Sequence, residues 1–291
     1  MHRADRHEGV DVIAHRGASA YAPENTIAAF ALAAEQGAPW FELDTYLTAD
    51  KHVIVLHDTT IDRTTSGEGP VGEHTLAELK QLDAGSWRGE EFAGERMPTL
   101  EESLIFAREN DIGVYIEPKS IDDDAELFAQ KYRAIDGAER LSQGQRMALM
   151  DLVQNSGTRN LAHARAVIAA VRKTGMEREV VVQSFSPVIC FVTLMEAPEL
   201  RTELLINRNP DNPEQWDRLV AFGMAIGVHG FNAHHDSLDP ETIAEFQRAG
   251  KRVAVWTVNN RERMEEMVSW GVDSIITDYP DIALEVVAET R

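Results

Sequence analysis

Strand and helix signals alternate along this chain from end to end, and no charge block or low-complexity linker divides them. Short β-rich runs are expected over 10–14, 40–45, 52–56, 113–117, 179–183, 202–206, 227–231, 252–258 and 273–276. Helical patterns fall between them over 26–36, 100–110, 121–134, 160–173, 187–195, 214–222, 240–249, 261–270 and 280–288, with a weaker stretch near Met147. Asn25 is the expected N-cap of the first helix, and Gly37 its stop. Treating 52–56 as an excursion beside the second strand leaves eight strand–helix units in 291 residues. That is the requirement of a (β/α)8 barrel, an α/β fold of TIM-barrel type. A doubly wound open sheet is the alternative, but it would place its site at a switch point, whereas ionisable residues here end several different strands. A single core of this size is within surface-to-volume limits, so one domain over 1–291 is expected. Only 59–97, after strand two, breaks the alternation, with a glycine-rich run and one short helix over 76–82. It carries Leu76, Leu79, Leu82 and Trp87 to pack, and so reads as an inserted loop subdomain rather than a linker.

The formal net charge of -21 bears on partners. Nucleic acid and anionic membrane surfaces would repel such a chain at long range, so neither is expected to bind it. An anionic ligand would need a local positive potential from a metal or a few basic residues. The one cysteine, Cys190, excludes an internal disulfide and suits a reducing compartment. No apolar signal segment opens the sequence and no run is long enough to span a bilayer, so a cytoplasmic location is expected.

Chemistry concentrates where strands end. Val12-Ile13-Ala14-His15-Arg16-Gly17, Phe41-Glu42-Leu43-Asp44 and Val55-Leu56-His57-Asp58 each begin apolar and finish in ionisable side chains. Strand alternation puts Glu42 and Asp44 on one face, Phe41 and Leu43 on the other, and His57 on the face of Val53 and Val55. With Glu117 at the end of a third strand, three hard oxygen donors and no accompanying cysteine favour one divalent cation, Mg²⁺ or Ca²⁺, over zinc. The alternative is that Arg16 and Lys119 neutralise these carboxylates as salt bridges. His15 and His57 flank the carboxylates in sequence and suit proton transfer near neutral pH. Arg16 and Lys119 adjoin them as candidate phosphate contacts. Trp256 could stack over a ligand or fill the barrel. His2, His7, His52, His74 and His163 read as solvated surface residues. His229, His234 and His235 lie around the end of a strand, where one could face the site.

These pieces resemble the glycerophosphodiester phosphodiesterase family. The match runs through Ala14-His15-Arg16-Gly17, Pro23-Glu24-Asn25-Thr26, Glu42-Leu43-Asp44, Val55-Leu56-His57-Asp58, Met97-Pro98-Thr99-Leu100-Glu101-Glu102, Ile116-Glu117-Pro118-Lys119, Gln183-Ser184-Phe185, Val255-Trp256-Thr257-Val258-Asn259 and Thr277-Asp278-Tyr279-Pro280. The resemblance implies a TIM barrel with a small insertion after strand two, a divalent metal on Glu42, Asp44 and Glu117, and His15 and His57 as acid and base. It implies a small-molecule glycerophosphodiester as substrate, cleaved to glycerol 3-phosphate and an alcohol. It also favours attack by the substrate's own 2-hydroxyl, one histidine taking its proton and the other protonating the departing alcohol; of the two, His15 is the expected first base because it adjoins Arg16. The stretch 137–175 has no counterpart in the family wording, which bears on substrate choice. Two other readings compete. A lysophospholipid phosphodiesterase on the same barrel would call for an apolar rim, and none stands out. A non-catalytic phosphate-binding barrel would be signalled by loss of a histidine or carboxylate, and all five are present.

Overall fold

The structure, a computed structural model, describes residues 2–5, 9–124 and 140–290. Eight parallel strands close into a barrel: β1 (Asp11–Ala14), β2 (Trp40–Leu47), β4 (Gly113–Pro118), β5 (Val180–Ser184), β6 (Arg201–Ile206), β7 (Gly230–His234), β8 (Arg252–Trp256) and β9 (Ser274–Thr277). Closure is made by β1, which pairs with β9 at Ala14↔Thr277 and with β2 at Ala14↔Phe41. The ninth strand, β3 (Val53–Val55), lies antiparallel on the outer part of β2 at Thr45↔Val55, which is the expected excursion.

Ten helices are described: α1 (Ile27–Glu35), α2 (Leu76–Leu79), α3 (Leu100–Glu109), α4 (Gln143–Ser156), α5 (Arg159–Thr174), α6 (Pro187–Glu196), α7 (Glu214–Ile226), α8 (Pro240–Arg248), α9 (Arg261–Ser269) and α10 (Pro280–Glu289). Their starts obey local chemistry. Thr99 and Ser142 close capping boxes on α3 and α4, and Asp239 caps α8. The helix near Met147 is thus a full element. Of the helix expected over 121–134, residues 121–124 are not helical and the remainder lies outside the described residues.

Alternation along the strands sorts the core. Phe41 and Leu43 pack outward with Phe30, Val114 and Val182 between barrel and helices. Ile13, Trp40, Tyr115, Val181 and Ile276 fill the inside, capped from below by Ala4 on the short 3-10 turn Arg3–Asp5. The insertion packs Ile61, Val71, Leu79, Ala84 and Met97 onto Tyr46, Ile54 and Leu56. Trp87, expected to help pack it, is instead 39% exposed, with its ring N–H on the Ala84 carbonyl.

Other expectations are corrected. The strand foreseen over 227–231 runs Gly230–His234, because Gly227 at φ +85 ends α7 in the left-handed conformation and 228–229 serve as connector. Asn25 is not the cap of α1; Thr26 is, accepting from the Ala29 N–H. His163 is buried, not solvated, with Nε2 3.1 Å from Thr45 Oγ1 and Nδ1 3.2 Å from the Lys119 carbonyl. Among the other histidines read as solvated, His52 is exposed, whereas His2 and His74 are half-buried on backbone carbonyls and His7 lies outside the described residues.

Candidate active site

Glu42 and Asp44 sit on the inward face of β2, and Glu117 directly opposite Asp44 on β4. All three are buried, and one oxygen from each lies within 4.8 Å of the other two. Burial, reinforced by Asp44 and Glu117, pushes the Glu42 carboxyl well above its ordinary range. Burial also raises Glu117, against the opposing pull of Lys119 and with a smaller push from Asp44. For Asp44 burial is outweighed by Lys119 and Arg16, which hold it below the usual range. Lys119 Nζ lies 2.9 Å from Asp44 Oδ1 and 2.7 Å from Glu117 Oε1. Arg16 Nε lies 3.3 Å from Asp44 Oδ2, but its Nη1 is committed to Glu24 at 2.8 Å. Three carboxylates therefore share two cations, one of them divided with a fourth acid. A buried all-oxygen set that remains under-neutralised fits a hard divalent cation.

The turn after β1 sets the first histidine and part of the acidic cluster. Arg16 and Gly17 both take left-handed backbone, at φ +57 and +82. A Cβ on Gly17 would meet the Ala29 backbone at 2.6 Å, so the turn needs glycine there. The bend aims the Arg16 N–H at Glu42 Oε2, 3.0 Å away. Asn25, at φ +59, clamps Asp44 from two sides: its amide donates to Oδ2 at 2.9 Å and its Oδ1 accepts the Asp44 N–H at 3.2 Å. Its true role is to position a carboxylate.

Each candidate histidine has a carboxylate fixed on Nδ1. For His15 it is Asp278 Oδ1 at 2.6 Å; Ser19 donates to that oxygen and the Asn259 amide to Oδ2. For His57 it is Asp58 Oδ1 at 2.7 Å. Arg63 Nε binds Asp58 Oδ2 at 2.6 Å and, with its other nitrogens, forks onto Glu24, so Arg63, Glu24 and Arg16 form one chain of charges around the site. The Arg63 hydrogen bond holds the Asp58 carboxyl at about 2. Burial lowers the His57 imidazole, against the attraction of Asp44. Since β3 stops at Val55, the following loop rather than strand pleating carries His57.

Trp256 ends β8 half-buried, its ring N–H on the Asn232 carbonyl at 3.0 Å. Phe185 and His234 stand edge-on to it, at 5.4 and 5.2 Å between ring centres. His234 is thus the one of the three late histidines beside Trp256 at the strand ends. Sequence reasoning gave no role in the site to Glu24, Asp58, Asn259 or Asp278, and only a helix cap to Asn25, although all lie inside the quoted motifs. Nothing local marks Arg63.

The family model described as the glycerophosphoryl diester phosphodiesterase family matches residues 15–142 and 140–282. A glycerophosphodiester phosphodiesterase of Caldanaerobacter subterraneus subsp. tengcongensis is 36% identical over 95% of this chain and 97% of its own length. One from Bacillus subtilis is 29% identical over 93% of this chain and 84% of its own. Among solved structures, an Oleispira antarctica phosphodiesterase in complex with the product sn-glycerol-3-phosphate aligns at TM-score 0.75 and 26% identity, covering 96% of both chains. The glycerophosphodiester phosphodiesterase of Agrobacterium tumefaciens aligns at TM-score 0.70 and 29% identity, covering 95% of this chain and 99% of that one. By a family match along most of its length and by relatives of this similarity, the chain belongs to the glycerophosphoryl diester phosphodiesterase family.

Proposed function

We propose that this site hydrolyses a glycerophosphodiester to glycerol 3-phosphate and an alcohol, with His15 and His57 exchanging the protons and Glu42, Asp44 and Glu117 holding one divalent cation, Mg²⁺ or Ca²⁺. The observation that carries it is the pair of Asp-clamped histidines, His15 on Asp278 and His57 on Asp58, beside three buried carboxylates short of positive charge. The cation, when bound, supplies the charge that offsets the phosphodiester anion. Lys119 and Arg16 add fixed positive charge at the same place, and both are candidate contacts for the phosphate oxygens. Because each Nδ1 is occupied by a carboxylate, Nε2 is the nitrogen left for substrate on both rings, and the carboxylates fix ring orientation.

The substrate's 2-hydroxyl is tethered next to phosphorus and so has a high effective concentration. One histidine takes the hydroxyl proton as the O–P bond forms, and the other protonates the departing alcohol oxygen. Hydrolysis of the resulting cyclic phosphate reverses the two roles. The His15-first order expected from its neighbour Arg16 is opposed by burial, which favours the neutral, proton-accepting form of His57. We therefore assign His57 as the first base and His15 as the first acid. A diester with an activated leaving group separates the two, because it needs no acid. It should restore turnover to His15→Ala and not to His57→Ala; the opposite pattern would reverse the order. A 2-deoxy diester that is cleaved as fast as the natural one would replace the tethered route by direct attack of water. Trp256, with Phe185 and His234 edge-on to it, is proposed to line the leaving-group side. A cytoplasmic location agrees with the absence, among the described residues, of any helix long and apolar enough to cross a membrane.

A further inference from the structure

The inserted stretch sends one guanidinium to the rim of the candidate active site. Arg63 stands in a turn that is fixed around it. Ile61 and Thr64 are buried, the Ile61 N–H reaches the Gly69 carbonyl at 3.0 Å, and the Ile61 carbonyl accepts the Thr65 hydroxyl at 2.6 Å. From this platform the side chain makes two forks. Nε lies 2.6 Å from Asp58 Oδ2 and Nη2 3.2 Å from Asp58 Oδ1. Nη1 lies 2.8 Å from Glu24 Oε2 and Nη2 2.8 Å from Glu24 Oε1. All the guanidinium nitrogens are thus engaged by carboxylates from two separate loops, those after β1 and β3.

Neither carboxylate ends the chain of contacts. Asp58 passes on to His57 Nδ1 at 2.7 Å, and Glu24 Oε1 also accepts from Arg16 Nη1 at 2.8 Å. The carboxylate behind the other histidine is held differently: Ser19 and Asn259, both neutral, orient Asp278. Those donors serve one carboxylate, whereas Arg63 joins two. Its planar, five-donor fork can do this where a lysine could not. A purely stabilising role accounts poorly for the arrangement. The Arg63 side chain is 46% exposed, and ion pairs in that setting contribute little to stability. What the two forks do fix is the spacing between the elements that carry His57 and Arg16.

We propose that Arg63 is a positioning residue for the hydrolysis: by forking onto Asp58 and Glu24 at once, it holds His57 and Arg16 in register with each other. This rests on the reading of the site given above, in which His57 is the first base and Arg16 a phosphate contact. Without the fork both side chains remain but turn more freely. His57 then meets the 2-hydroxyl in line less often, which lowers kcat. Arg16, with Glu24 no longer anchored, holds the phosphate less well, which raises KM. The inserted subdomain is on this account part of the catalytic apparatus rather than a cover beside it.

Steady-state kinetics of the metal-loaded enzyme, with a natural glycerophosphodiester and one carrying an activated leaving group, test this. Arg63→Ala should lower kcat/KM by roughly ten- to hundredfold, the usual effect of removing a partner that orients an active-site ligand. The loss should be equal on both diesters, because base and phosphate contact act whichever alcohol departs. In a Glu24→Gln background, where Arg16 is already released, Arg63→Ala should change kcat alone. Arg88 supplies the control: it ties the same insertion to the Ala20 carbonyl and touches neither carboxylate. Arg88→Ala should therefore leave kcat and KM unchanged even if it lowers Tm. Should Arg63→Ala fail to fold, Arg63→Lys, which keeps the charge without the fork, is measured in its place with the same split expected. A fall in Tm with kcat and KM unchanged would overturn the inference. So would a loss confined to the natural diester, or an equal loss in Arg88→Ala. A wild type that cleaves no glycerophosphodiester would refute the hydrolysis itself, and this role with it. That failure is read from the wild type, and failure of the Arg63 role from the variants.

Discussion

At the scale of single residues, the site is built from carboxylates that do two different jobs. Asp278 and Asp58 orient imidazoles, whereas Glu42, Asp44 and Glu117 crowd into a pocket that repels them. Replacing His15 or His57 by alanine should lower kcat by roughly 10²–10⁴ on the natural substrate, the range for loss of general acid–base catalysis. Asp278→Asn keeps the shape but removes the charge, so it should displace the pH–rate profile while the fold survives. Glu117→Gln should weaken metal binding by direct titration without unfolding the protein, because it removes a proposed ligand and also a source of repulsion. Full metal affinity in that variant would exclude Glu117 as a ligand. His15, Glu42, Asp44 and Glu117 were legible because each ends an apolar strand run. Asp278 was not, although its motif was in view, because its partner His15 lies 263 positions away and no local pattern links them.

At the scale of elements, local rules placed most boundaries and tertiary demands moved the rest. Thr26→Ala should cost about 1 kcal/mol in chemical denaturation, the usual value of an N-cap. Asn25, the neighbour with equal capping chemistry, is taken by Asp44 instead. His163, which looked like a surface residue on α5, ties the end of β4 to Thr45 on β2; burial holds its ring neutral, at about 4. Inside the barrel, Glu203 on β6 faces Gly230, and burial raises its carboxyl to about 7 from an ordinary 4.5. Between those values the folded protein keeps a proton that the unfolded chain has lost, so stability falls as pH rises through about 4.5 to 7. Glu203→Gln should accordingly raise Tm at pH 8 and change it little at pH 4. Equal shifts at both would show that packing, not ionisation, governs the position. Trp256→Ala distinguishes two uses of the ring: a rise in KM with Tm nearly unchanged marks a ligand contact, and the reverse marks a core filler.

At the scale of the whole molecule, the proposed metal site ties metal to fold, since a cation that bound only the folded cluster would stabilise it by mass action. Removing metal with a chelator should abolish turnover and lower Tm, and Mg²⁺ or Ca²⁺ should restore both; full activity in excess chelator would defeat the metal reading. The eight-unit alternation, the excursion beside strand two and the acidic strand ends were written into the sequence, because strand and helix periodicities are local and a barrel gathers its strand ends at one mouth. What only the tertiary structure decided were the partners: which carboxylate holds which histidine, why Asn25 leaves its cap, and why Arg16 is shared with Glu24. Those depend on distances between residues remote in sequence, which barrel closure sets and no local periodicity encodes.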